Sequence, residues 1–204
     1  VILGWNHRVI GVLEELIMAN ESEKKAVVVI LSFKDKEYMD DYISKNITDF
    51  KTTTVITTNG NTANINEYKR INIASARSVI IMASSSDMAT KLEKTDSDIN
   101  AMKSILALNA FFSKNIQIPV IAEILYEENR ELIKMINNEN IIALDNWDIM
   151  GKLLVQTSLS SGLQVVYNEI LSFDLSEIYF YNDPKWEGIK FKSLAYHFPD
   201  GIPL

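Results

Sequence analysis

Six short apolar runs rich in β-branched residues punctuate residues 1–146, and helical patterns fill the gaps between them. The runs are 1–3, 26–33 ("AVVVILSF"), 52–61 ("TTTVITTNGN"), 78–86 ("SVIIMASSS"), 118–124 ("IPVIAEI") and 141–145 ("IIALD"). Continuous β-branched runs suit strands buried on both faces, as in parallel sheets. Between them Val9, Leu13, Leu16 and Ile17 recur at helical spacing over about 6–19, and Met39, Tyr42 and Ile43 share a second helical face. A short helix is expected at 65–71, a long one over 97–113, and another in "ENRELIKMI". Such alternation predicts an α/β fold with a doubly wound, mostly parallel, six-stranded Rossmann-like sheet. Right-handed crossovers make 3-2-1-4-5-6 the simplest strand order. Ligands in such sheets bind beyond the carboxyl ends of the strands, at the point where the order reverses. Here that point is residues 4–8 and 83–87.

The pattern changes after residue 146. "WDIMGKLLVQTSLSSGLQVVYNEILSF" carries two helical stripes, Trp147, Met150, Leu153 and Leu154, then Leu163, Val166, Tyr167, Ile170 and Leu171. "SLSSG" between them is a breaker with Gly162 as the turn. No strand follows directly, so this pair must pack on something other than a seventh strand. "SEIYFYND" (176–183) reads as a strand leaving the first domain, and "PKWEGIKFKSLAYHFPDGIP" as the start of a small second one. The expected division is 1–146, a helix-turn-helix at 147–175, and the beginning of a C-terminal subdomain at 176–204. The chain reads as a piece of a longer protein.

Composition narrows the function classes. The net charge of −7 disfavours nucleic-acid partners, which need Lys and Arg against phosphate. Cysteine is absent, which removes disulfides, thiolate zinc sites and cysteine nucleophiles. No apolar run approaches the roughly 18 residues of a membrane helix. His7 and His197, the two histidines, stand far apart and build no catalytic arrangement with Ser and Asp.

The strand-to-helix turn "VILGWNHRVIGVLEEL" carries a degraded dinucleotide fingerprint. The three glycine positions of G-x-G-x-x-G are Gly4, Asn6 and Val9. Gly4 keeps the tight turn; Asn6 stands where backbone would approach a pyrophosphate; Val9 stands where helix and strand pack closely. The helix N-terminus still offers amides and a positive dipole end, with His7 and Arg8 on its first turn. The ribose-binding acid expected after the second strand falls on Phe33 or Ser32, and Asp35 reads as a helix cap. Phe33 suits either a buried aromatic or a stacking surface for adenine. After the third strand, Asn59, Gly60 and Asn61 replace a Gly-Asp turn that would face adenine or ribose. Ala83, Ser84, Ser85 and Asp87 line the reversal point, their hydroxyls suited to a phosphate or ribose or to a plain turn.

Calcium needs several converging oxygens. Glu93, Asp96 and Asp98 before the long helix, or Glu123 with Glu127 and Glu128, are the candidates, and helix caps and solvated faces are the alternative. Glu123 is the most pointed of them, an acid closing an apolar strand at the ligand edge. No EF-hand spacing occurs. Trp5 is a large anchor, set against the helix pair, a neighbouring subunit or the core.

"ILGWN", "VVVILSFKDKE", "ASARSVIIMA", "GKLLVQTSLSSGL" and "FPDGIP" together resemble the cytoplasmic RCK (TrkA-N type) domain of CASTOR/POLLUX-like ion channels. The resemblance implies a homodimer assembling into a tetrameric or octameric gating ring. That ring would lie on the cytoplasmic side of the membrane, beneath a potassium or other cation pore on the same or a partner chain. It makes 147–172 the crossover that embraces a neighbour, with no catalysis. A nucleotide, NAD or an adenine nucleotide, or else Ca²⁺, would then bias the ring toward one state. An NAD(P)-dependent oxidoreductase and a structural oligomerisation domain with a vestigial cleft are the alternatives.

Overall fold

The computed structural model describes residues 1–86, 88–173 and 183–198. Six strands, β1 (Ile2–Leu3), β2 (Ala26–Ser32), β3 (Thr53–Asn59), β4 (Val79–Ile81), β5 (Val120–Glu123) and β6 (Ile141–Leu144), form one sheet. Every pairing is parallel and the order is β3-β2-β1-β4-β5-β6. The α/β doubly wound sheet and its strand order are as the alternation predicts. β1 is the central strand, with Ile2 opposite Ile30 and Ile80, and Leu3 opposite Leu31 and Ile81.

Successive β1 residues point to opposite faces, and two cores follow. Ile2 joins Val9, Leu13 and Ile17 of α1 (Val9–Ala19) and Met39 and Ile43 of α2 (Lys36–Asn46). Leu3 joins Tyr68 of α3 (Ile65–Arg70), Ile105 and Leu108 of α4 (Lys91–Phe111) and Ile133 of α5 (Glu127–Lys134). Burying one such Leu or Ile contributes about 1.5–3 kcal/mol. Trp5 packs in the first core, edge-on to Tyr42 at 5.8 Å and to Tyr38 at 6.4 Å, both of α2. Trp5 thus packs in the core and also lines the cleft at the reversal point, and the helix-pair contact is corrected.

Local chemistry sets the helix starts. The Asp35 carboxylate accepts the Tyr38 amide and caps α2. Thr90 and Glu93 form a reciprocal capping box, so α4 begins at Lys91, before the expected start at 97. Glu93, Asp96 and Asp98 therefore lie inside the long helix rather than ahead of it. β4 ends early, at Ile81: the Met82 amide still bonds Leu3 O of β1, but the Ala83 amide and carbonyl bond the side chains of Glu123 and Asn6.

Beyond β6, Asp145 caps α6 (Asn146–Leu159), and Gly162, with φ 93°, turns the chain into α7 (Leu163–Leu171). Neither helix buries a residue: Trp147, Leu154, Leu159 and Val165 are all more than 60% exposed. Further on, Asp183 caps a turn at Pro184–Trp186, followed by α8 (Phe191–Leu194). Trp186 stacks on Phe198 at 5.2 Å and meets His197 edge-on. The expected strand over 176–183, all but its last residue, and most of "FPDGIP" lie outside the described residues.

Candidate functional site

The reversal point lies between β1 and β4, and a cleft of about 230 Å³ opens there. Gly4 holds the floor: its φ is 102°, its amide bonds Leu31 O at 2.9 Å, and a Cβ would stand 2.6 Å from Met82 O. Phe33 lies on the rim, 62% exposed. The buried-aromatic alternative is thereby corrected: β2 ends at Ser32, whose Oγ accepts the Lys34 amide, and the chain leaves the sheet there. Lys34, Ser84, Ser97 and Ser104 also line the cleft, and among the described residues no carboxylate does.

Asn6 does not narrow this cleft from the phosphate side. It is 7% exposed, and its Nδ2 donates to Ala83 O at 2.8 Å and to Glu123 at 3.4 Å. Its Oδ1 accepts the Arg8 amide at 2.8 Å, and its carbonyl accepts the Val9 amide at 3.2 Å. Two amides at the helix entrance, groups that cradle phosphate in dinucleotide sites, are thus satisfied internally. Val9, at the third fingerprint position, is fully buried. His7 is exposed on the first turn.

Glu123 closes β5 and is a meeting point. Its carboxylate pairs with the Arg8 guanidinium, accepts the Ala83 amide at 2.9 Å, and accepts the Asn146 side-chain amide at the start of α6. Its side chain is 12% exposed, that of Arg8 35%. The result is a continuous polar bridge from the cleft turn to the first residue of the helix pair. Nε of Arg8 and Oγ of Ser85 are buried without a hydrogen-bond partner. Asp87 lies outside the described residues.

The remaining expected residues hold loops. Asn59 donates to Phe33 O at 3.0 Å and Lys34 O at 2.8 Å, tying the β2–α2 loop to β3. Asn61 accepts the Ala63 amide at 2.9 Å, and Gly60 packs against Glu67 and Leu31. Asp98, fully buried, accepts the amides of Leu125 and Tyr126 and the side chain of Asn129. Glu127 and Glu128 stand exposed on the first turn of α5. Among the described residues no three His, Asp or Glu side chains converge, and Glu123 faces an arginine. With no ribose acid and no second glycine, the cleft fits a dinucleotide poorly.

Sequence reasoning missed Asn146, and with it the link from Glu123 to α6. The register carries the signal: Glu123 pairs with Leu144, two residues before Asn146. It also missed Arg130, which bonds Ile124 O at 3.0 Å and pairs with the α6 cap Asp145.

Residues 147–204 match the family described as "Castor and Pollux, part of voltage-gated ion channel". Over all 204 residues the chain is 32% identical to "Probable ion channel SYM8" of Pisum sativum and 31% to "Ion channel DMI1" of Medicago truncatula, spanning 22% of each. Over 203 residues it is 27% identical to "Ion channel CASTOR" of Lotus japonicus, spanning 23% of it. The chain thus spans about a fifth of the length of the curated relatives it matches. A solved structure, "Structure of the human SLO3 gating ring", superposes on 97% of the chain with a TM-score of 0.50 at 18% identity, covering 31% of that chain. That likeness bears on the fold. Among the described residues no helix is long and apolar enough to cross a membrane.

Proposed function

The chain is a relative of the CASTOR and POLLUX ion channels along its whole length and shares its fold with a channel gating ring, and from that premise we propose that it is a ligand-sensing regulatory domain of a cation channel. It acts without catalysis, on the cytoplasmic side of the membrane. The permeant ion is potassium or another cation.

The observation that carries this reading is the Glu123 bridge. Arg8, on the turn that leads out of the cleft floor, is held by the same carboxylate that holds the first residue of α6. A ligand phosphate at the cleft competes for the Arg8 guanidinium. Glu123 then loses its charge partner, and its grip on Asn146 changes. The signal enters α6 at its first turn and moves the helix pair as a unit. A ligand achieves this only by binding one arrangement better than the other.

The lining chemistry selects the ligand class. Serine hydroxyls, Lys34 and an exposed Phe33 suit a phosphate and a base, and the lack of a lining carboxylate disfavours Ca²⁺. A cleft of about 230 Å³ suits a mononucleotide better than NAD. The exposed apolar faces of α6 and α7 bind a second copy of the chain, as a dimerisation crossover would.

A thermal-melt series with AMP, ADP, ATP, NAD⁺ and Ca²⁺ tests the reading. A ligand at 100 times its dissociation constant adds about 2.7 kcal/mol. A mononucleotide should raise the melting temperature and Gly4→Ala should abolish the rise. A shift with Ca²⁺ or NAD⁺ alone overturns the ligand assignment, and no shift with any of the five overturns the sensing reading.

A further inference from the structure

The cleft at the reversal point owes its room to small side chains on α4. Ser97, Ala101 and Ser104 share one face of that helix, at i, i+4 and i+7, and all three line the cleft. Ile105 and Leu108, further along, fill the core instead. Asn100 falls on the same face and is the one larger polar side chain that α4 contributes to the cleft wall.

Asn100 is half-buried, and its side-chain amide is uncommitted. Its backbone carbonyl accepts the Ser104 hydroxyl at 3.0 Å, but its Oδ1 and Nδ2 bond nothing among the described residues. The other asparagines at this edge are engaged, Asn6 with Ala83, Glu123 and the Arg8 amide, Asn59 with the β2–α2 loop. Two of the serines already serve as acceptors: Ser97 Oγ takes the Ser84 amide at 2.8 Å and Ser32 Oγ takes the Lys34 amide at 3.2 Å. Among the described residues Asn100 is the only side-chain amide lining the cleft, and no carboxylate lines it. A planar amide offers one acceptor and one donor side by side. Adenine carries the complement, an amino group next to a ring nitrogen, and Asn pairs with it through two hydrogen bonds. Guanine adds a 2-amino donor beside its N1–H. A carboxylate accepts both; an amide accepts one and leaves the other without a partner.

We propose that Asn100 is the base-reading residue of the cleft and that it selects adenine, with Phe33 on the rim as the stacking face. The proposal rests on the mononucleotide reading above and adds to it the identity of the base. The adenine amino group donates to Asn100 Oδ1, and the neighbouring ring nitrogen accepts from Nδ2. Asn100 takes no part in the Glu123 bridge, so it governs which ligand enters and not how its arrival is passed to α6.

The test is calorimetric titration of the 204-residue chain with AMP, GMP and ribose 5-phosphate, in the parent, in Asn100→Ala and in Asn100→Asp. The parent should bind AMP about tenfold or more tightly than GMP, the discrimination that one two-bond pair supplies. Asn100→Ala should erase that preference. Asn100→Asp should reverse it, since the carboxylate accepts both guanine donors. The ratio of the two affinities is the readout, because the added charge weakens both phosphates alike. With the amide free of protein partners, Asn100→Ala should leave the melting temperature of the ligand-free chain unchanged or raised. A lowered melting temperature with the AMP-to-GMP ratio kept makes Asn100 structural and overturns its assignment. Equal binding of AMP and ribose 5-phosphate, equal binding of AMP and GMP in the parent, or a ratio unmoved in both variants overturns the base reading and leaves the phosphate reading standing. No binding of any of the three overturns the mononucleotide reading, and this proposal with it.

Discussion

At Gly4 the chain leaves β1 with φ 102°, and any side chain there would press on Met82 O. The turn depends on that residue alone of the three fingerprint positions. Gly4→Ala should therefore cost about 2 kcal/mol or more, read as a lower urea midpoint with an unchanged slope. Asp98 carries a comparable burden from the other side of the sheet, taking two loop amides and one asparagine with no exposure to solvent. Asp98→Asn turns part of that acceptor into a donor facing donors and should cost about 2–3 kcal/mol in the same assay. Tyr68 donates its hydroxyl to the carbonyls of Thr62 and Ser104, and burial pushes the phenol well above its ordinary value. The folded state holds the neutral phenol, so its contribution is intact below the unfolded value near 10 and is lost as pH rises beyond it. A urea midpoint that falls above pH 10, with a smaller fall in Tyr68→Phe, is the expected profile. Gly4 was legible in the sequence because one glycine after an apolar strand has few other meanings. Asn6 was legible only as a departure from the fingerprint: its partners lie 77 and 117 residues away, and only the folded register brings them together.

Among the elements, the strands and the two helices either side of Gly162 were the most legible, and the start of α4 the least. β2 and β3 are seven-residue β-branched runs and fall within two residues of the expected bounds. β4 shrinks to three residues because Ala83 spends its amide on Glu123 and its carbonyl on Asn6, a contest that periodicity does not reveal. The early start of α4 follows from Thr90 and Glu93, a capping box readable in hindsight as T-x-x-E. Hydrophobicity left Phe33 open between a core aromatic and a stacking surface; β2 ends at Ser32 and leaves the ring on the rim. At this scale Glu123 is the residue that joins elements, since β5, α1, the β4 turn and α6 all meet it. Glu123→Gln leaves Arg8 half-buried without its charge partner and should cost about 1–3 kcal/mol, at the lower end because Arg8 retains access to water. Its more specific effect is faster amide exchange in the first turn of α6, without a change at Ile105 and Leu108 in the core of α4.

The whole molecule presents two surfaces of opposite character. The sheet's carboxyl edge is polar and internally cross-linked, whereas α6 and α7 leave Leu154 65% and Val165 71% exposed among the described residues. Apolar faces of that extent mark an interface. Sedimentation equilibrium should show a dimer, and Leu154→Glu together with Val165→Glu should return it to monomer with the melting profile of the sheet retained. The sequence showed the two stripes but not their exposure, because a stripe facing a core and one facing a neighbour have the same period. On this reading a mononucleotide at the Gly4 turn is felt at α6 through Glu123. Hydrogen–deuterium exchange of the chain with and without saturating AMP, in the parent and in Glu123→Gln, tests it directly. AMP should alter exchange both at residues 4–8 and in the first turn of α6 in the parent, and only at residues 4–8 in the variant. AMP protection at residues 4–8 with α6 unchanged in the parent would contradict it.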